Sequence, residues 1–244
     1  MGGYEAMFAD RGAAYDAAMQ ACPEARRQEF LQLLHRADPQ PGHTVADVPA
    51  GGGYLNRYLP DECQWLGYEP CESFHASGDT EPTSELLPLP WAPNSVDVAV
   101  SLAGVHHMAD KRPFFQAVRE VVKPGGRFVL SDVTEGSRVA RFLDGFVGSH
   151  NSTGHDGIYL GRHTLAELDA CGWSVASCEQ VDFHWVFPDA ETMVAFCQRL
   201  FDLRSPFDVT RAAIEEQLGI DRLALDQVGM RWSLMTIVAN RPWV

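Results

Sequence analysis

The chain has 244 residues, 45% of them hydrophobic and 21% charged, which excludes global disorder and suits one domain with an elaboration. Its 19 basic and 33 acidic side chains give a net charge of −14, and affinity for nucleic acid depends on Lys and Arg displacing counterions. A nucleic-acid partner is therefore disfavoured, and small molecules remain.

Residues 4–36 read as helical. Tyr4, Met7 and Phe8, then Tyr15 and Met19, recur at helical spacing, and Pro23 opens a second helix through Phe30, Leu31, Leu33 and Leu34. Pro39, Pro41 and Gly42 end it. Residues 44–48 read as a buried strand, 49–53 as a glycine turn and 54–59 as a helix; a second strand, 64–68, ends at Glu69-Pro70. Residues 72–95, with four prolines, read as irregular. Residues 95–102 form a strongly apolar strand and 111–122 a helix with Phe114, Phe115, Val118 and Val121 on one side; 127–132 is another strand, after the stop Pro124-Gly125-Gly126. This strand–helix alternation predicts an α/β fold with a mainly parallel sheet. Residues 136–163 are rich in Gly and His. A short helix over 164–171 capped by Thr164, a strand over 173–183, two amphipathic helices within 189–228 and a closing strand over 230–239 complete the chain.

The 6 cysteines form no Cys-x-x-Cys pair and none stands with His at zinc-finger spacing, so reduced thiols are expected. The N-terminus lacks the basic start and apolar run of a secretory signal, and no apolar stretch approaches the ~18 residues of a membrane span. A cytoplasmic protein without a membrane partner is the expectation.

Asp47-Val48-Pro49-Ala50-Gly51-Gly52-Gly53 is the most informative segment. Glycines after a first strand let the backbone approach a ligand closely. A dinucleotide fingerprint starting at Gly51 would need glycine where Asn56 stands, and the Gly-Lys-Ser/Thr of a phosphate loop is absent. Glu69 closes the second strand, where an acid can bind both hydroxyls of a ribose. Together these features point to an adenosine-like ligand held without a phosphate site.

Four segments in order resemble the class I S-adenosylmethionine-dependent methyltransferases: residues 45–53, Gly67-Tyr68-Glu69-Pro70, residues 89–101, and His106-His107-Met108-Ala109-Asp110 leading through 118–126. The likeness is close over 44–133 and looser beyond. It implies a Rossmann-like fold, a seven-stranded, mainly parallel sheet with helices on both faces, the last strand antiparallel, plus helical cap insertions. It implies one domain over 1–244, with an N-terminal helical lid (1–40), a cofactor-binding half (44–133) and acceptor-pocket elaborations (134–163 and 183–229). The implied cofactor is S-adenosylmethionine, leaving as S-adenosylhomocysteine. Gly51 and Gly53 would pass beneath its methionine part, Asp47 would support its amino group, and Glu69 would hold the ribose hydroxyls. Pro70 would touch the adenine, Leu102 and Ala103 would line the methionine side, and Tyr15 would meet the carboxylate. The acid at the adenine amino group is either Asp79 or Glu85. Pro49 departs from the family, which has glycine there; proline fixes φ near −65°, so Gly51, Gly52 and Gly53 must absorb the difference.

Methyl transfer is an in-line displacement, so the protein chiefly holds the acceptor atom ~3 Å from the methyl. A base is needed only where the acceptor must lose a proton, and no metal is expected. His106 is read as structural and His107 as a candidate base. The loop 148–159 concentrates His150, His155 and Tyr159, which are expected to contact the acceptor with one histidine as base. Phe183, Trp185, Phe187 and Phe201 are expected to cap the pocket, with Trp185 on the acceptor, while Tyr4 and Tyr15 belong to the lid and Phe8 to ordinary core. An acceptor with an O or N nucleophile on a small, planar or apolar metabolite follows. The competing readings are a protein methyltransferase, a non-catalytic scaffold or sensor on the same fold, and an oxidoreductase, against which Asn56 counts.

Overall fold

The computed structural model describes residues 11–74 and 85–243. Tyr4, Phe8 and Asp79 lie outside these residues. Two helices, α1 (Gly12–Ala21) and α2 (Arg27–Ala37), precede β1 (Thr44–Asp47) and β2 (Gln64–Gly67). Then follow β3 (Val96–Leu102), α3 (Arg112–Val121) and β4 (Val122–Asp132). A helical stretch comes next, made of α4 (Arg138–Arg141), a π-helical segment (Phe142–Val147) and α5 (Gly148–His150). The chain continues through α6 (Arg162–Ala170), β5 (Ser174–Phe187), α7 (Ala190–Leu200), α8 (Phe207–Gln217), β6 (Ile220–Arg222) and β7 (Val228–Asn240).

The seven strands form one sheet in the order β2-β1-β3-β4-β7-β5. The first three pairings are parallel and those of β7 antiparallel. β4 occupies β7 along Met235–Asn240, and the short β6 pairs with Val228–Met230 at its start. The chain leaves β1 towards β2 and returns on its other side as β3, so a topological switch point lies at the carboxyl end of β1, where open α/β sheets bind ligands.

Alternation along the strands sorts the core into two layers. Val45, Val98, Val100 and Val129 face α2 through Phe30, Leu33 and Leu34. Ala46, Ala99, Phe128 and Leu130 face α3 through Phe114, Phe115 and Val118. Each fully buried Phe of α3 contributes about 1.5–3 kcal/mol over exposure. Trp173 seals this second layer, its indole N–H donating to the Phe115 carbonyl at 3.0 Å.

Three local readings are corrected. Residues after the glycine turn form only a single 3₁₀ turn, Tyr54–Tyr58, because Leu59 precedes Pro60 and is driven to an extended φ/ψ. The helix assigned to 164–171 begins at Arg162; Thr164 lies in its first turn and accepts the Gly161 N–H at 3.2 Å. The strand expected to stop at Phe183 runs on to Phe187, since Phe183, Trp185 and Phe187 alternate as its buried side. Trp185 is thus presented by the sheet rather than by a cap helix.

Candidate active site

The glycine turn crosses the carboxyl ends of β1 and β2. Gly51 (φ +53°) and Gly53 (φ +71°) take the left-handed conformations that Pro49 cannot, as the sequence requires. A Cβ on Gly53 would stand 2.9 Å from the Trp65 ring, so the turn lies flat on that indole. Trp65 in turn donates Nε1–H to the Asp47 carboxylate at 3.3 Å. Glu69 accepts the Gly51 N–H on one oxygen at 2.9 Å and the Cys71 N–H on the other at 3.0 Å, which locks the turn to the end of β2. Asp47 is buried, and burial lifts its carboxyl to about 7, with the indole hydrogen bond pulling it down and Glu69 pushing it up. A buried carboxylate with no cation paired to it among the described residues is suited to receive an ammonium group.

A first cavity is lined by Asp47, Pro49, Gly51, Leu102, Ala103 and Tyr15. Pro70 is buried behind the turn. Glu85 is exposed and outside the lining of this cavity; its carbonyl takes the Tyr68 hydroxyl at 2.9 Å.

A second cavity, which shares Tyr15, Arg26 and Ala103 with the first, lies towards β5 and β7. One wall is aromatic: Trp185 stacks on Trp232 with centroids 4.3 Å apart, and Phe201 lies parallel to both. A buried polar network fixes this wall to the N-terminal helices. Arg26 forms two 2.7 Å bonds with Glu29, the Trp185 indole N–H donates to Glu29 at 2.7 Å, and Arg26 also reaches the Tyr15 hydroxyl. Burial alone would lower the Arg26 pKa, but Glu29 and Tyr15 raise it beyond its ordinary value.

The opposite wall carries histidines. His106 and His107 follow β3 in a 3₁₀ turn, and His155 comes from the loop after α5; one nitrogen of each lies within 4.8 Å of the others. His106 Nδ1 pairs with buried Asp132 at 2.7 Å, and Asp132 also accepts the His106 and Val133 N–H groups. His155 Nδ1 lies 2.9 Å from Asp144, which also accepts the Tyr159 hydroxyl at 2.5 Å and the Gly157 N–H at 3.1 Å. Asp144 sits in the π-helical segment, a widened turn that is frequent at functional sites. Burial and the neighbouring positive groups, Arg11 and Lys111 among them, hold His107 well below its ordinary pKa; burial, His106 and Arg11 also lower His155. The three imidazoles lie close enough together to share a cation, a grouping that the spacing of these residues along the chain does not announce.

The structure thus gathers Tyr15, Ala103, His107, His155 and Trp185 around one cavity, with Tyr159 one ring behind through Asp144. His150 stands apart: one turn on from Phe146, its ring lies 4.4 Å from that phenyl and its Nδ1 is 2.8 Å from the Phe146 carbonyl. Trp65, Asp132, Asp144 and the Arg26–Glu29 pair were not singled out from sequence, because each acts only through a partner distant along the chain.

Residues 46–130 match the sequence profile of a family described as "Methyltransferase domain". Among solved structures, the chain is similar to phosphoethanolamine N-methyltransferase 2 of Haemonchus contortus (TM-score 0.63, 16% identity, 98% of this chain and 60% of that one). It is also similar to the YcgJ protein of Bacillus subtilis (TM-score 0.56, 15% identity, 88% and 99%) and to the [4+2]-cyclase SpnF (TM-score 0.56, 19% identity, 88% and 80%). At these identities the likeness is one of fold. A search of curated proteins finds no significant match. No helix among the described residues is long and apolar enough to cross a membrane. Residues 46–130 thus match a methyltransferase domain, carried on the fold of the class I S-adenosylmethionine-dependent methyltransferases, with S-adenosylmethionine as the methyl donor.

Proposed function

We propose that this enzyme methylates an O or N atom of a small, planar, aromatic or heterocyclic metabolite. The observation that carries the reading is the adjacency of the two cavities, which share Tyr15, Arg26 and Ala103 in their linings, with an uncompensated Asp47 carboxylate in one and an aromatic wall facing histidines in the other. Two proteins of this fold act, by their names, on small molecules: the phosphoethanolamine enzyme and a geranyl diphosphate methyltransferase (TM-score 0.54, 15% identity).

S-adenosylmethionine supplies a sulfonium-activated methyl, so the residues of the chain have to bind, orient and manage one proton. Asp47 would hold its amino group, Glu69 the ribose hydroxyls, Gly51 and Gly53 the close backbone approach, Tyr15 the carboxylate, and Leu102 and Ala103 the methionine side. Pro70 borders the adenine end. Trp185 would stack on the acceptor and fix its plane, as an aromatic wall does for a flat ligand. His155 is the base we favour over His107. Asp144 accepts its Nδ1–H, which leaves Nε2 with a lone pair towards the cavity, the same division of labour as in a His–Asp dyad. Its lowered pKa keeps that nitrogen unprotonated at neutral pH. Tyr159 shares the Asp144 oxygen and holds the dyad in register.

Calorimetry with S-adenosylhomocysteine and NAD, followed by methyl transfer from labelled S-adenosylmethionine to a panel of hydroxylated and aminated aromatics, tests the proposal. Binding of the cofactor product and labelling of a small aromatic is expected. Labelling of proteins alone would overturn the small-molecule reading, and cofactor binding without transfer to any acceptor would favour a sensor.

A further inference from the structure

Two guanidinium groups border the acceptor cavity, and they are treated differently. Arg26 is buried and has the two carboxylate bonds a buried cation needs. Arg11, the residue before α1, is 8% exposed, lines the same cavity beside His107, His155 and Leu143, and has none. Its Nε is buried with no hydrogen-bond partner, and among the described residues it forms no ion pair. The acid that acts on it from a distance, Asp202, forms no ion pair with it and accepts the Ser152 hydroxyl. Leaving a buried guanidinium unpaired is costly, and proteins seldom keep one unless a ligand completes it. The surroundings agree: in a chain of net charge −14, the one carboxylate among the described residues lining this cavity is Glu29, and it is bonded to Arg26.

We infer that Arg11 is the receptor for an anionic group of the methyl acceptor, a carboxylate carried on the aromatic ring beside the reacting hydroxyl or amine. The inference rests on the small-molecule reading above and narrows it. A planar guanidinium matches a carboxylate with two parallel N–H bonds, which gives direction as well as attraction. The Trp185–Trp232 wall would hold the ring plane, Arg11 its charged edge, and His155 the proton of the nucleophile. The same chemistry has a second source, the carboxylate of the cofactor itself. Arg11 is absent from the lining of the cofactor cavity, where Asp47, the glycine turn and Tyr15 meet, and this favours the acceptor.

The test uses the full chain saturated with S-adenosylhomocysteine and titrated calorimetrically with salicylate and with its neutral counterpart salicylamide. Wild type is expected to bind salicylate at least tenfold more tightly than salicylamide; Arg11→Gln should erase the preference and Arg11→Lys should keep part of it. Affinity for S-adenosylhomocysteine should stay within twofold in all three proteins, and unliganded Arg11→Gln should melt no lower than wild type, because the group removed is unpaired. Equal or absent binding of the two probes by wild type overturns the inference. So does an Arg11→Gln variant that loses S-adenosylhomocysteine but not salicylate, which assigns Arg11 to the cofactor, or one that melts several degrees lower, which assigns it to the fold. Failure of wild type to bind S-adenosylhomocysteine at all would instead strike the cofactor reading, before any probe is added.

Discussion

The two halves of the site are built by different means. The proposed cofactor half takes its groups from short stretches at the carboxyl ends of adjacent parallel strands: Asp47 and the glycines at the end of β1, Glu69 beyond β2, Leu102 and Ala103 at the end of β3. Backbone geometry does most of the positioning, and one motif carries most of it. The acceptor half is assembled from α1, α2, β5, β7 and the loop after α5, and its order comes from side-chain networks: Arg26–Glu29–Trp185, Asp132–His106, and Asp144–His155–Tyr159. The lesson is that the first half is ordered by neighbours along the chain, whereas the second depends on partners far apart in it.

The sharpest way to break this contrast is at the base. His155→Ala is expected to lower kcat by about 10²–10⁴-fold while leaving the affinity for S-adenosylhomocysteine unchanged, the range for loss of a positioned base. Asp144→Asn should fall in the same direction, since it removes the acceptor that selects the His155 tautomer. His150→Ala, by contrast, should retain wild-type turnover, because its ring rests on Phe146. Steady-state kinetics on the labelled acceptor separates the three; equal losses in all of them would mean that the loop acts as a unit and that no dyad operates.

A smaller effect is expected from the cofactor half. Glu69→Ala removes both the proposed ribose contact and the two backbone bonds that hold the turn, and should weaken S-adenosylhomocysteine binding by about 10–100-fold, roughly 1.4–2.8 kcal/mol. Turnover at saturating cofactor should change much less. A matching loss of kcat would show that the turn also orders the acceptor half.

This contrast also sets what sequence could disclose. Asp47, the glycines and Glu69 were legible because strand, turn and acid occur in one short stretch and each residue type has a conformational or chemical reason to be there. The sheet was legible from its apolar runs, apart from the extension of β5 to Phe187, which depends on pairing with β7 all along its length, the start of β4 at Val122, and the short β6, which lies in a stretch that reads as helical. Arg11, Asp132, Asp144 and Trp65 were not, since nothing in a lone Arg or Asp announces that burial will leave it unpaired or give it a histidine. His150 and His155 are alike in composition and neighbourhood; only the helical turn that sets His150 on Phe146 and leaves His155 in the loop against Asp144 tells them apart.

The cofactor half should also show its electrostatics in a pH titration. Asp47 has its carboxyl raised to about 7 against an ordinary value near 3.8, so the folded state holds a proton there that the unfolded state releases. The contribution of this group to stability is therefore greatest below about pH 4, and is lost progressively as pH rises towards 7. Ligand binding runs the other way, because an ammonium group selects the ionised carboxylate. S-adenosylhomocysteine should bind up to about tenfold more weakly for each pH unit below 7 and level off above it. Asp47→Asn should bind weakly and lose that slope. A slope that persists in Asp47→Asn would place the titrating group elsewhere.

The smallest effect tests how that carboxylate is tuned. The Trp65 indole, pinned between the turn and β2, donates the one hydrogen bond that pulls the Asp47 pKa down against its burial. Trp65→Phe keeps an aromatic surface under Gly53 but removes the donor. The ionised form then loses support, the pKa rises further, and the midpoint of the binding profile should move to higher pH by a few tenths of a unit to about one unit. At pH 7 the affinity should drop a few-fold, and at pH 9 it should return towards wild type. That return is the distinguishing mark: a variant that had merely loosened the turn would bind weakly at every pH, whereas one that had lost only the tuning bond would recover once Asp47 is ionised.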